Sequence, residues 1–218
     1  MKISEIRSAG VRHGMPQGGW SNEIQPEDGI HTLIAVFTDK GINGWGSAFT
    51  NDELVQAALY VLKPYAGENP LEPERVSEKL PAHTFWLGGG GSIRHTISGI
   101  DIAIWDILGK ATNQPVGRLL GGRYRDLVPP YASLLMREGH EMAEHLAEVR
   151  PRGFRAFKIG WGPFGRQRHS QDLVEIPWKL DSEGMLPVPS SAGLGVSIDM
   201  DAVDKYTGRR FASAGGSV

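Results

Sequence analysis

Residues 97–122 read "ISGIDIAIWDILGKATNQPVGRLLGG", and no other stretch says as much about the architecture of this 218-residue chain. Ile97, Ile100, Ile104, Ile107 and Leu108 recur at helical spacing, and Ile93 extends the stripe backwards. The pattern predicts one long helix over "SIRHTISGIDIAIWDILGKATNQ", with Gly109 and Asn113 marking its exit. Asp101 and Asp106 lie on this helix and are read as structural, one of them pairing with an arginine or capping a neighbouring turn. "PVGRLLGG" closes the unit as a short turn.

Upstream, residues 2–12 alternate loosely and suggest an edge strand, with Ile3, Ile6 and Val11 set against Lys2, Glu5 and Arg12. A polar loop follows at 13–29. In "IHTLIAVFTDKGINGWGSAF" two β-rich runs flank Asp39-Lys40-Gly41, a hairpin turn in which Gly41 supplies positive φ. The first third is therefore predicted to be an antiparallel meander of three strands. Asn51 can cap a helix from Asp52 to about Leu62 whose apolar stripe is read as Leu54, Ala57, Ala58 and Val61. A second helix is expected over about 72–83. Gly88 to Gly91 break the chain before the long helix, and with no Lys-Ser/Thr after them they are no phosphate loop.

Downstream, "VPPYASLL" is a strand candidate, "HEMAEHLAEVRPRG" a short amphipathic helix ending at Gly153, and "FRAFKIG" another strand. Strand, helix, strand in that order implies a parallel pair, the opening of a β/α barrel. The pattern then stops. Residues 166–178 are polar and without period, and "KLDSEGMLPVPSSAGLGVSIDMD" reads as turns and short strands. Asp199, Asp201 and Asp204 lack the glycine and distal Glu of a calcium loop, so a capped short helix at "DAVDKY" is preferred to a metal cluster. The last ten residues are expected to be a disordered tail.

The totals narrow the function. Lys and Arg number 23 against 25 Asp and Glu, a formal net charge of −2, which argues against binding driven by nucleic-acid phosphates. There is no cysteine, so thiolate catalysis, disulfides and cysteine-based zinc sites are excluded. No apolar run reaches the length of a membrane span. A cytoplasmic protein without nucleic-acid or membrane partners is the expectation.

The helix with Asp101, Trp105, Asp106, Gly109 and Lys110, followed by Pro115 and Leu119-Leu120-Gly121-Gly122, resembles the N-terminal signature of the mandelate racemase/muconate lactonizing group of the enolase superfamily. "GINGWGSAF" resembles that group's third capping strand, "GFRAFKIGWG" its second barrel strand, and "GMLPVPSSAGLGVSID" the C-terminal segment that returns to the capping domain. The resemblance implies an α+β capping domain over a (β/α)7β barrel. In that barrel three carboxylates on successive strands hold Mg²⁺ between Lys or His bases. The cation is needed because abstraction of an α-proton next to a carboxylate leaves a dianion.

A β/α barrel takes about 250 residues, whereas here the barrel pattern runs only from about Val128 to 166. Strands ending in Asp or Glu have no counterpart, and His169 is the only histidine after residue 145. The chain is therefore read as a family member with most of the barrel missing between about Gly165 and Trp178. Its parts are a capping domain at 1–125, first barrel strands at 126–166, a returning segment at 167–208 and a tail at 209–218. Lys158 matches the second lysine of the family's Lys-x-Lys pair and is the candidate base; Ala156 stands where the first would be. Trp20 and Asn22 in the mobile-loop region and Asn51 in the "FTNDE" segment are the candidate substrate contacts. Mg²⁺ is the cofactor the resemblance implies, and no ligand for it is found in the chain. Two functions stay open. One is a Mg²⁺-dependent dehydratase, or a racemase or cycloisomerase, acting on a sugar or hydroxy acid, a preference drawn from "WGPFG" and the polar loop. The other is a non-catalytic capping-domain remnant, for which association between copies is expected because removing a barrel uncovers apolar surface.

Overall fold

The computed structural model describes residues 1–11, 31–62, 67–135, 137–160 and 179–207. The loop at 13–29 with Trp20 and Asn22, and the tail at 209–218, lie outside the described residues. No helix among those described is long and apolar enough to cross a membrane.

Three antiparallel strands, β1 (Ile3–Gly10), β2 (Thr32–Thr38) and β3 (Gly44–Ala48), form a sheet in the order β1-β2-β3. The β2–β3 connection turns at Gly41 with φ 75°, the left-handed conformation glycine adopts at no steric cost. A bulge interrupts the register between Ile3 and Glu5. It lets Ile3 and Ile6, three residues apart, face the same layer.

β2 is buried on both faces. Ile34 and Val36 point into the main core with Val55, Leu59, Leu62, Val76, Leu80 and the isoleucines of the long helix. Leu33 and Ala35 point the other way, into a second cluster with Ala9, Val11 and Val203. The first cluster is built by α1 (Asp52–Leu62), α2 (Pro73–His83) and α3 (Gly91–Thr112). In α1 the buried stripe is Val55, Ala58, Leu59 and Leu62, while Leu54 is exposed. This corrects the stripe read from the sequence: both sets have helical spacing, and the one with more aliphatic volume turned inward. α3 buries Ile97, Ile100, Ile104 and Ile107, and ends at Asn113 in the left-handed conformation.

Small residues bring α3 directly onto β3. A Cβ on Gly44 would overlap the Ala103 carbonyl, and one on Gly46 the Gly99 carbonyl. Gly99 is filled from the sheet side: its own Cβ would lie 2.5 Å from Ile34 Cδ1. Removing the side chain from alternate strand positions is what permits this approach.

After the short α4 (Val116–Leu119), the strand expected as one piece is two, β4 (Leu127–Val128) and β5 (Tyr131–Leu135), separated by Pro129-Pro130. Two consecutive residues without N–H groups cannot continue a ladder. β4 pairs antiparallel with β7 (Leu186–Pro187). β5, α5 (Gly139–Val149) and β6 (Ala156–Gly160) form the expected parallel unit. Ala132 and Leu134 of β5 pack with Leu146 and Val149 of α5 and with Phe154 and Phe157. Among the described residues this is all there is of a barrel, and it is not closed.

Residues 179–207 bond back to the chain around α4. Val116 N–H donates to the Gly193 carbonyl (3.0 Å), and Gly193 N–H to that of Gln114 (3.1 Å). It ends in α6 (Met200–Thr207), where Asp199 Oδ1 accepts from Ala202 N–H at 2.9 Å. α6 lays Val203 against the second face of the sheet.

Candidate functional site

Lys158 is the third residue of β6 and pairs in register with Ser133 of β5, as Ala156 pairs with Tyr131. Ala132, Leu134 and Phe157 face α5. Alternation therefore puts Tyr131, Ser133, Ala156 and Lys158 on the opposite face, the side that would be the interior if the barrel closed. The lysine is in mid-strand. Its side chain is exposed, with Nζ 5.9 Å from the centroid of the Tyr131 ring, the outer limit of a cation–π contact. Ala156, next along the same face, brings no second charge.

Asn51 heads α1. Its Oδ1 accepts the Leu54 N–H at 3.0 Å, an N-cap that satisfies one orphan donor of the first turn. Lys158 and Asn51 share no partner among the described residues; Trp20 and Asn22 lie outside them.

Among the described residues no three His, Asp or Glu side chains converge as a metal ion would require. Three of the aspartates have other partners. Asp52 accepts from Ser8 Oγ (2.7 Å) and Gln56 Nε2 (2.7 Å). Asp101 accepts from Ser77 Oγ. Asp199 caps α6. These residues do not fit Mg²⁺, which takes near-octahedral oxygen ligands.

Asp106 is where the geometry is densest. It is 2% exposed. Oδ2 accepts from Lys110 Nζ (2.6 Å) and Trp45 N–H (3.1 Å), and Oδ1 from Leu194 N–H (2.9 Å). Lys110 Nζ also donates to the Asn43 carbonyl at 2.9 Å. One carboxylate thus fastens β3, α3 and the returning segment together. The sequence reading took Asp106 as structural but sought its partner in an arginine or a turn. The partners are a lysine one helical turn on and two backbone amides far along the chain. The legible signal was an acid between Ala103 and Ile107 on the buried stripe.

Residues 28–121 match the family model described as the mandelate racemase / muconate lactonizing enzyme, N-terminal domain. Over those residues the chain resembles that N-terminal domain. It is 29% identical over 217 residues to the D-galactarolactone cycloisomerase of Agrobacterium fabrum, covering 95% of this chain and 56% of that protein. It is 34% identical over 130 residues to the D-galactonate dehydratase of Klebsiella pneumoniae, covering 58% of this chain and 34% of that one. An isomerase from Streptomyces coelicolor has the same fold, with a TM-score of 0.72 at 19% identity, the match covering 95% of this chain and 99% of that one. The chain thus spans about half the length of the first of these relatives and a third of the second, while its fold is matched almost from end to end. Its relatives include dehydratases, cycloisomerases and racemases.

Proposed function

We propose that the chain descends from Mg²⁺-dependent acid-sugar dehydratases that remove a proton next to a carboxylate, and that these 218 residues keep the capping part of that machinery without the proton transfer. The division into a capping domain at 1–125, barrel strands at 126–166 and a returning segment at 167–208 is part of this reading. One observation carries it. Between the end of β6 at Gly160 and Lys179, where the described chain resumes, lie eighteen residues, 161–178. A βαβ unit takes about 30 or more, so the strands that would carry three carboxylates have no room. Lys158 is then a base without a metal-bound substrate to act on.

The names of the relatives favour a second reading, a working dehydratase or isomerase of a sugar acid; on that reading Trp20, Asn22 and Asn51 would be its substrate contacts. One experiment separates the two. The chain is incubated with Mg²⁺ and D-galactonate in D₂O and followed by ¹H NMR, with Mg²⁺ binding measured by calorimetry. The expected result is neither α-proton exchange nor heat of binding. Exchange that disappears in Lys158→Ala would establish the catalytic reading instead.

A further inference from the structure

We propose that Lys158 guards the open edge of β6 against pairing with β6 of a second copy of this chain. The sheet is ordered β5-β6, and among the described residues neither strand has another neighbour. Such an edge presents a row of backbone donors and acceptors to any other strand. β6 reads Ala-Phe-Lys-Ile-Gly, apolar but for Lys158. Beside it Ile159 is 45% exposed and Tyr131 54%. A lone two-stranded sheet is marginal in water, and a parallel one is ordinarily buried on both faces. The drive to extend it is therefore strong.

Two β6 strands related by a two-fold axis would pair antiparallel, each contact occurring twice. The register that sets Phe157 of one copy beside Ile159 of the other covers apolar surface on the α5 side. That same register sets the two Lys158 side chains directly opposite each other on the open face, where like charges destabilise the pair. No acid lies between 150 and 160 to offset the repulsion. The lysine thus stands at the centre of the best apolar match and opposes it.

The test reads association without substrate, so it stands or falls independently of the exchange experiment. Sedimentation velocity is run on the full chain over a range of concentrations for the parent, Lys158→Thr and Lys158→Arg, with circular dichroism as the check on folding. Lys158→Thr is expected to associate at about tenfold lower concentration than the parent. Lys158→Arg, which keeps the charge, is expected to match the parent. The parent itself is expected to move towards the threonine variant in 1 M NaCl, where charges are screened beyond about 3 Å. Superimposable profiles for parent and Lys158→Thr, or an arginine variant that behaves like threonine, overturn the proposal. If Lys158→Thr does not fold, the salt titration of the parent decides, and association that does not respond to salt overturns it.

Discussion

Gly44 and Gly46 are the positions where one added carbon does the most damage. Each faces a backbone carbonyl of α3 with no room for a Cβ, and neither a helix nor a sheet shifts cheaply. Gly46→Ala is expected to cost about 1–3 kcal/mol, read as a lower urea midpoint at unchanged slope. Asp106 is the polar counterpart. Asp106→Ala leaves Trp45 and Leu194 N–H groups and the Lys110 ammonium without their shared acceptor. The expected loss is about 3 kcal/mol, again from urea unfolding. A cost below about 1 kcal/mol would mean that water replaces the carboxylate and that the junction is looser than drawn.

Among the elements, α1 and α2 give separable predictions. Asn51→Ala removes the N-cap and is expected to cost about 1 kcal/mol, with faster amide exchange confined to the first turn of α1. α2 is moored by Glu68. The hydrogen bond from Lys79 Nζ (2.9 Å), with help from Arg75, holds the Glu68 carboxyl below its ordinary value. A lowered folded-state pKa gives stability that is present above the unfolded value, about 4.3, and is lost as pH falls through the folded one. The parent is therefore expected to be more stable than Glu68→Gln at pH 7, with the gap closing below about pH 4. A gap that stays constant down to pH 2 would refute the assignment.

The elements also mark where the sequence was readable. The isoleucines of α3, the hairpin at Gly41 and the β5-α5-β6 order follow from local period and turn chemistry. The stripe of α1 did not, because two overlapping stripes of equal period can be told apart only by what lies opposite. The glycines of β3 read as a resemblance and not as a reason, since close approach is a property of two elements and not of one. The surroundings of Lys158 come from residues that the local sequence does not contain. Asp106 shows the same limit, with partners 61 and 88 residues away. Burial of β2 on both faces did leave a trace, the unbroken apolar run from Leu33 to Phe37.

The molecule as a whole is held by its two ends. The second face of the capping sheet, with Ala9, Val11, Leu33 and Ala35, is covered from α6 at the far end of the described chain. A chain ending at residue 178 is expected to bind a hydrophobic dye strongly and to lose its sharp thermal transition, even though α1–α3 and all three strands are intact. An unchanged melting midpoint would show that α6 is dispensable.

That arrangement has a bearing on how the chain comes into being. As it leaves the ribosome, the N-terminal sheet has its strands and three helices long before Val203 has been synthesised. It must wait half-covered. Shortening the intervening stretch lowers the entropy cost of closing the loop only slowly, by about 0.6 kcal/mol per halving, but it shortens the wait in direct proportion to the residues removed. The fewer residues that lie between β3 and α6, the earlier in translation the first-made sheet is completed, and the less time the Leu33 face has to meet a chaperone or a neighbouring nascent chain.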